Sequence, residues 1–201
     1  MQKPAPSQYP MHALLQHRWS PRAFDTRNVE REKLLSILEA ARWSPSSNNS
    51  QPWRFIVAER QNDIAFHSML NLLSNNNQRW CKDVPVLMMI VTRTQNADGS
   101  NNNYGGHDAG IALANLTLQS LDQGLVVHPM AGFNNERARD TYTIPSDYDP
   151  MTIVALGYYG ALEQLSEDLQ AREIKSRERL PLSELVYEGQ FGTVATFAKA
   201  N

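Results

Sequence analysis

The stretch SPSSNNSQPWRFIVAE, residues 44–59, joins a polar loop to a run in which large apolar residues alternate. Serine and asparagine side chains bond nearby backbone groups, and the two prolines lack a backbone donor, so the first half predicts a structured loop. Trp53, Phe55 and Val57 occupy every second position of the second half, which predicts a strand with one face buried. The fold is therefore expected to place a polar loop directly at the start of a strand.

Periodic segments on both sides of this stretch predict further helices and strands. The continuously apolar VPVLMMIV, residues 84–91, is typical of a strand covered on both faces, so helices are expected on both sides of the sheet. Apolar residues at helical spacing predict a helix over 29–43 and a central buried helix over 107–124. The remaining predicted elements are strands over 125–129 and 151–160 and a helix over 165–174.

Two other segments are expected to behave differently from this core. Residues 94–107 contain almost nothing to bury, which predicts a long mobile excursion that serves as a lid or is merely a loop. The segment PLSELVYEGQFG, residues 181–192, is more apolar than a solvated tail. We therefore expect it to pack against something, with a second subunit as one candidate.

Composition limits the classes of function. The 201 residues favour one domain over the whole chain, and 19 Lys and Arg against 21 Asp and Glu leave no basic field for nucleic acid or an anionic membrane. The single cysteine, Cys81, excludes an intrachain disulfide, and no apolar run reaches the length of a membrane span. We predict a cytoplasmic protein that binds neither nucleic acid nor membrane.

Known catalytic motifs are missing from the sequence, and arginine clusters stand out in their place. The five histidines are scattered, so no metal site is predicted, and neither GxSxG, a Walker loop nor GxGxxG occurs. Arg18 and Arg22 lie near the start, and Arg177 and Arg179 near the end. Guanidinium groups suit a phosphate because their planar fork donates paired hydrogen bonds, although each arginine alone is typical of a solvated surface.

Four motifs taken together resemble the FMN-dependent nitroreductase family in order, spacing and residue type. They are RWSPRAFD at 18–25, SPSSNNSQPWRFIV at 44–57, HPMAGF at 128–133 and RERLPL at 177–182. The resemblance covers residues 11–191, and the second motif is the most specific. It implies an α+β fold in which a three-layer α/β/α sandwich surrounds a mostly antiparallel sheet, assembled as an intertwined homodimer.

The resemblance also implies a chemistry. Family members bind FMN non-covalently at the homodimer interface and pass electrons from NADH or NADPH, the co-substrate, to a small-molecule acceptor such as a nitroaromatic or a quinone. A flavin face that nicotinamide and acceptor occupy in turn predicts a ping-pong order of substrates. No side chain is required as a nucleophile, so no catalytic residue is assigned.

The family motifs imply a set of cofactor-binding residues in this sequence. The phosphate and ribityl end would contact Arg18, Trp19, Ser20, Arg22, Arg177 and Arg179. The partner subunit would contribute Ser46, Ser47, Asn48, Ser50 and Gln51, and the flavin ring would lie near Asn77, Met130, Ala131 and Gly132. Paired guanidinium donors, amide groups and backbone N–H groups are what a phosphate, a pyrimidine edge and flavin N5 require.

Two departures from the family keep alternatives open. Ala131 stands where many members have glutamate, and Trp80 where some have lysine. The first alternative is therefore a flavin-binding or flavin-storing protein with little turnover. The second is an interaction protein whose asparagine-rich loops bind a partner and whose arginines are ordinary surface charge. His107, beside Asp108, is either a proton donor or, as its place before a helix favours, a capping or surface residue.

Overall fold

The computed structural model describes residues 3–198, which form seven α-helices around a single four-stranded sheet. The helices are α1 Ala13–His17, α2 Arg31–Arg42, α3 Asp63–Leu70, α4 Asn75–Cys81, α5 Gly105–Asp122, α6 Asn135–Tyr142 and α7 Glu167–Ile174. The strands are β1 Trp53–Glu59, β2 Val86–Arg93, β3 Val126–Met130 and β4 Tyr148–Gly157. Short 3-10 turns lie at 47–49, 162–164, 182–184 and 196–198.

The sheet is antiparallel throughout, with the strand order β1-β2-β4-β3. The two central strands pair so that Met89 lies opposite Ile153, and Met130 of β3 lies opposite Ile153 on its other side. The strands β1 and β3 are therefore the two edges. The loop before β1 and the turn after β3 leave the sheet at opposite edges.

Helices cover both faces of the sheet, as the apolar character of β2 predicted. On one face, Met88 and Ile90 of β2 pack in a cluster with buried residues of α2 and α5, including Ile37 and Leu116. On the other face, Met89 joins a cluster built by α3, α4 and α7. The expected three-layer α/β/α arrangement around an antiparallel sheet is confirmed, and α5 is the predicted buried helix.

The N-terminal segment is fixed beside the end of β4. Phe24 forms an antiparallel bridge with Tyr159, the Asp25 N–H donates to the Tyr158 carbonyl (3.0 Å), and the Gly160 N–H donates to the Ala23 carbonyl (2.9 Å). A Cβ at Gly160 would lie 2.5 Å from the carbonyl carbon of Phe24, so this approach requires glycine. The pairing holds the RWSPRAF motif against the sheet.

The predicted and observed elements differ in the short helices and in one loop. The helices α1, α3, α4 and α6 were not predicted, and three of the seven residues of α4 are asparagine, a weak helix former. The excursion expected over 94–107 is shorter, since α5 begins at Gly105 and Gln95 bridges Asn101 in a compact turn. Its mobility stays a prediction.

The apolar C-terminal segment folds back on itself but leaves large side chains on the surface. Tyr187 bridges Val194, and Ala195 is buried. Leu185 is 55% exposed and Phe191 94% exposed. Side chains of this size are seldom left in water over a contiguous segment, so the segment presents an apolar surface that one chain does not cover.

Candidate functional site

The first motif contributes one arginine and one buried tryptophan to the candidate site. Arg18 is partly buried, and its guanidinium lies 3.4 Å from the Ser20 hydroxyl oxygen. The Trp19 ring is 6% exposed and stacks on Tyr159 at 5.9 Å between ring centroids. Trp19 is therefore a packing residue that anchors the motif, and its predicted cofactor contact would have to use its backbone.

Three arginines from distant parts of the sequence come together at this end of the sheet. Burial lowers the pKa of Arg18, and the positive charges of Arg177 and Arg179 lower it further. Burial and the charge of Arg179 likewise lower the pKa of Arg177. No ion pair within residues 3–198 involves any of the three. We call Arg18, Arg177 and Arg179 the basic cluster.

A cluster of this kind is incomplete without a counter-charge. Neighbouring positive charges that are partly withdrawn from water repel one another, and an anion placed between them removes the repulsion. A phosphate dianion matches the forked donors of guanidinium groups. The residues present therefore fit the phosphate group of a nucleotide or flavin mononucleotide.

Arg22, which the resemblance placed in the same phosphate contact, has a protein partner in this structure. Its guanidinium lies 3.5 Å from a carboxylate oxygen of Glu173, whose side chain is 2% exposed. The same carboxylate accepts the backbone N–H of Arg22 at 2.7 Å. Arg22 is thus neutralised locally, in contrast to the basic cluster.

A second group of predicted residues meets at the end of β3. The Asn77 side-chain amide donates to the Gly132 carbonyl at 3.1 Å, and the Ser74 N–H donates to the same oxygen at 2.9 Å. A Cβ at Gly132 would lie 3.0 Å from both Asn77 Nδ2 and Ser74 Oγ, so this approach favours glycine. Ala131 and Gly132 are exposed. Outside the strand ladders, no hydrogen bond of the described chain uses their N–H groups.

Met130, by contrast, points into the protein. It is 3% exposed, and its sulfur lies 3.5 Å from the buried Cys81 thiol, whose pKa is raised by burial. Its carbonyl accepts a hydrogen bond from the Thr152 hydroxyl at 2.9 Å. A ligand at the exposed Ala131–Gly132 turn would therefore meet backbone and small side chains rather than the Met130 thioether.

Three aromatic rings from the first motif, α4 and β3 pack together. Trp80 is 5% exposed, stacks on Phe24 (6.1 Å between ring centroids) and lies tilted against the His128 ring (4.6 Å). His128 Nδ1 lies 2.7 Å from the Pro21 carbonyl, which can only accept, so Nδ1 carries the proton. Burial lowers the pKa of His128 to about 4, with smaller contributions from the charges of Arg22 and Arg18. His128 is therefore neutral at pH 7.

The loop over 46–51 lies elsewhere. Asn48, Asn49 and Gln51 have φ angles of 50°, 54° and 45°, in the left-handed region that non-glycine residues seldom adopt. The Ser47 N–H donates to the buried Asp108 carboxylate at 2.9 Å, and the Gln51 N–H donates to the Ser46 hydroxyl at 3.0 Å. These bonds hold a strained backbone.

The position of this 46–51 loop separates it from the other predicted residues. It precedes β1, the edge strand opposite β3, and three strand spacings amount to about 14 Å. No hydrogen bond in the described part of the chain joins it to the basic cluster or to the Ala131–Gly132 turn. One chain therefore brings together Arg18, Ser20, Arg177 and Arg179, and separately Asn77 and Gly132. It leaves Ser46, Ser47, Asn48, Ser50 and Gln51 at the far edge.

A cavity of about 630 Å³ lies beside these groups rather than at the basic cluster. It is lined by residues that include Arg22, Phe24, Arg79 and Trp80. Arg79 is held by the Asp168 carboxylate at 2.7 Å, so this cavity lacks the uncompensated charge that marks the basic cluster. The volume of this cavity does not by itself indicate a ligand-binding site.

Sequence reasoning missed Glu173, Ser74 and His128 as parts of this region. His128 lies inside the quoted HPMAGF motif, and Glu173 follows buried Leu169 by four residues on α7, a spacing that puts both on one helix face. No pattern in the sequence indicated that Ser74 would lie at this site. Between residues 3 and 198, no group of acidic, histidine and cysteine side chains has the arrangement of a metal site, and no helix is long and apolar enough to cross a membrane.

Comparison with known proteins gives a match to one family model and to several relatives. The model of the Nitroreductase family matches residues 15–158. An uncharacterised 15.4 kDa protein of Mycolicibacterium smegmatis is 32% identical over 146 residues, which are 69% of this chain and 97% of that protein. The major NAD(P)H-flavin oxidoreductase of Aliivibrio fischeri is 42% identical over 65 residues, 32% of this chain and 29% of that protein.

One solved structure resembles nearly the whole chain. A crystal structure described as an oxidoreductase containing FMN has a TM-score of 0.89 and 34% identity, covering 94% of this chain and 96% of that chain. Its coverage extends beyond residues 15–158, the range of the family match. The antiparallel sheet and its two helical layers are therefore shared with a protein that contains FMN.

Proposed function

The chain belongs to the nitroreductase family, and from that premise we propose that it is an FMN-dependent oxidoreductase that transfers electrons from NADH or NADPH to a small-molecule acceptor. The observation that carries this proposal is the basic cluster: Arg177 donates to the Gln16 carbonyl at 2.9 Å, two residues before Arg18, and none of the three arginines forms an ion pair within residues 3–198. A partly buried set of positive charges needs an anion, and the phosphate of FMN supplies one.

The residues of the two groups fit the two ends of a flavin mononucleotide. Arg18, Ser20 and Arg179 would hold the phosphate end. Asn77 and the backbone at Ala131 and Gly132 would face the ring. The unused N–H groups of Ala131 and Gly132 are donors for a ring nitrogen, and a methyl group and a hydrogen as side chains leave that face open.

FMN supplies, when bound, a hydride acceptor at its N5 atom that a nicotinamide can reduce and a small acceptor can reoxidise. The chain's own contribution is binding and orientation. Neutral His128 packs against buried Trp80, and the Pro21 carbonyl fixes the orientation of the imidazole next to the Met130–Gly132 segment. No side chain is assigned a covalent role, and we propose that donor and acceptor use the open face in turn.

We also propose that the working unit is a homodimer in which the 46–51 loop of one chain completes the site of the other. Support comes from the strained, anchored loop at the opposite sheet edge and from the exposed apolar residues of the C-terminal segment. A cytoplasmic location and a single domain over residues 1–201 remain predictions.

Anaerobic stopped-flow mixing tests the proposal. FMN-loaded protein mixed with NADH or with NADPH should lose its visible flavin absorbance, and a nitroaromatic or a quinone should restore it. Parallel lines in double-reciprocal plots against the two substrates would support alternating occupancy. An FMN-loaded protein that neither nicotinamide reduces would refute the oxidoreductase proposal.

A second candidate function is flavin binding with little turnover. It is favoured by Ala131, which lacks a carboxylate, and by Trp80, which is buried and uncharged where some family members have lysine. Steady-state turnover with a panel of nitroaromatics, quinones and free flavins separates the two. Rapid turnover with any acceptor removes the storage function, and bleaching without turnover would favour it.

A further inference from the structure

A reciprocal set of hydrogen bonds ties the N-terminal arm, residues 3–17, to the segment that follows α7. The Lys3 ammonium donates to the carbonyls of Glu173 and Lys175, both at 2.6 Å. In return, Arg177 donates from one guanidinium nitrogen to the Lys3 carbonyl (2.6 Å) and the Gln16 carbonyl (2.9 Å). Each segment therefore supplies both the donors and the acceptors that hold the other.

The Glu173 side chain forms a second link between the N-terminal segment and α7. Its carboxylate accepts the N–H groups of Arg22 (2.7 Å) and Ala23 (3.2 Å) and pairs with the Arg22 guanidinium. Glu173 is 2% exposed. A buried carboxylate is stable only when hydrogen-bonded or paired, so this contact fixes the segment after Arg18 relative to α7.

The four arginines of the two motifs differ in whether protein groups already hold their side chains. Arg22 and Arg177 already donate to protein acceptors or pair with a buried carboxylate. Arg18 contacts the Ser20 hydroxyl at the long distance of 3.4 Å, and Arg179 donates to the carbonyl of its own neighbour, Glu178, at 2.6 Å. The guanidinium groups of Arg18 and Arg179 have neither a carboxylate partner nor a hydrogen bond to a distant part of the chain, so most of their N–H donors are available to a ligand.

We propose that Lys3, Glu173 and Arg177 are positioning residues of the anion site, which hold Arg18 beside Arg179 so that these two arginines contact the phosphate. This inference rests on the proposed FMN function and deepens it. The three positioning residues lie outside residues 15–158, the range matched by the family model.

Lys3 is the most informative of the three. Burial lowers its pKa, the nearby Glu173 carboxylate opposes this shift, and the charges of Arg177 and Arg22 add to it. Its ammonium lies 4.6 Å from the centroid of the buried Trp19 ring. The two carbonyl acceptors and the face of the Trp19 ring stabilise the Lys3 ammonium beside the neighbouring arginines. Lys3 therefore lies next to the N-terminal motif that contains Arg18.

The test compares FMN with riboflavin, which lacks the phosphate. Dissociation constants for both are measured by fluorescence titration of the full-length chain and of Lys3→Ala, Lys3→Arg and Lys175→Ala. Lys175→Ala is the matched control because it removes one exposed charge from the same segment but keeps the carbonyl that Lys3 uses. We expect Lys3→Ala to weaken FMN binding about ten-fold and to leave riboflavin binding unchanged, since one well-placed charged contact is disturbed.

Lys3→Arg should restore FMN affinity, because a guanidinium can also donate to both carbonyls. Equal FMN affinity in Lys3→Ala and Lys175→Ala would overturn the proposal, as would a parallel loss of FMN and riboflavin. If Lys3→Ala does not fold, as judged by circular dichroism, Lys3→Met, which keeps an unbranched side chain beside Trp19 but has no donor, is expected to show the same FMN-specific loss. A wild-type chain that binds neither flavin would refute the proposed function itself rather than this inference.

Discussion

The basic cluster and the 46–51 loop are both polar parts of the candidate site, but the chain stabilises them differently. The cluster joins Arg18 to Arg177 and Arg179, more than 150 positions apart in the sequence, and it keeps uncompensated positive charge. The loop is local, since Ser46 and Gln51 bond each other, and it has left-handed backbone at Asn48 and Asn49. One region lacks an anion, whereas the other is internally satisfied.

This difference indicates which part of the site one chain completes. Charge that lacks a counter-ion points to a ligand at the cluster. A strained loop with its own hydrogen bonds, at the opposite edge of the sheet, points to a surface that is preformed for something outside the chain. Variants in the basic cluster and in the 46–51 loop should show whether these regions are separate halves of one site.

The largest effect is expected from the double variant Arg18→Ala with Arg179→Ala. Each arginine is expected to donate a charge-assisted hydrogen bond to phosphate, so FMN affinity should fall by about 3 kcal/mol or more. Riboflavin affinity should not change. Isothermal titration calorimetry measures both, with Arg31→Ala, an exposed arginine of α2, as control. Undiminished FMN affinity would show that the cluster binds something other than the flavin phosphate.

A pH-dependent effect is expected on the cluster side of the molecule. His128 has a pKa of about 4 in the folded chain against 6.5 for an ordinary histidine, mainly because it is buried. The unfolded chain therefore binds more protons between these values. The free energy of unfolding should be highest above pH 6.5 and fall by up to about 3 kcal/mol as the pH approaches 4.

Urea denaturation between pH 4 and pH 7 measures this dependence. In His128→Asn, the side-chain amide can still donate to the Pro21 carbonyl, but the free energy of unfolding should depend much less on pH over this range. The absolute stability of the variant is expected to fall as well, because the ring contact with Trp80 is lost. An identical slope in wild type and variant would assign the effect to other groups.

A smaller effect is expected on the loop side from Asp108→Ala. The Asp108 carboxylate is 2% exposed, accepts the Ser47 N–H at 2.9 Å and lies 2.9 Å from His107 Nδ1. Removing this charged acceptor should lower the free energy of unfolding by about 1.5–3 kcal/mol. Faster hydrogen exchange at the Ser47 amide should accompany the loss. Asp108→Asn keeps a carbonyl oxygen and is expected to retain most of the protection.

Much of the fold could be predicted from the sequence because its pattern is strong where the core is. Strand β1 coincides with the predicted WRFIVAE, and the continuously apolar β2 indicated helices on both sides. Helices α4 and α6 could not be predicted, because NNNQRWC and NERARDTY bury few residues and have no apolar stripe. Their position depends on long-range contacts such as that between Asn77 and Gly132.

The candidate site also has some parts that the sequence predicted and others that depend on how the chain packs. The two arginine pairs were visible as motifs, and three of their four members, Arg18, Arg177 and Arg179, form one cluster. The pairing of Arg22 with Glu173 could not be predicted, because it depends on how α7 packs against the N-terminal segment. The burial of Trp19 and Trp80 was equally invisible, since an aromatic side chain is compatible with both a core and a cofactor contact.

Hybrid dimers test most directly the claim that one flavin site combines the basic cluster of one chain with the 46–51 loop of another. One chain would have Arg18→Ala with Arg179→Ala, and its differently tagged partner would have Asn48→Gly with Gln51→Gly, which keeps the left-handed backbone. Each variant alone should bind little FMN. The purified hybrid should bind FMN at half of its sites with wild-type affinity, as measured by visible absorbance after gel filtration. A hybrid that binds no more FMN than either parent would contradict the account.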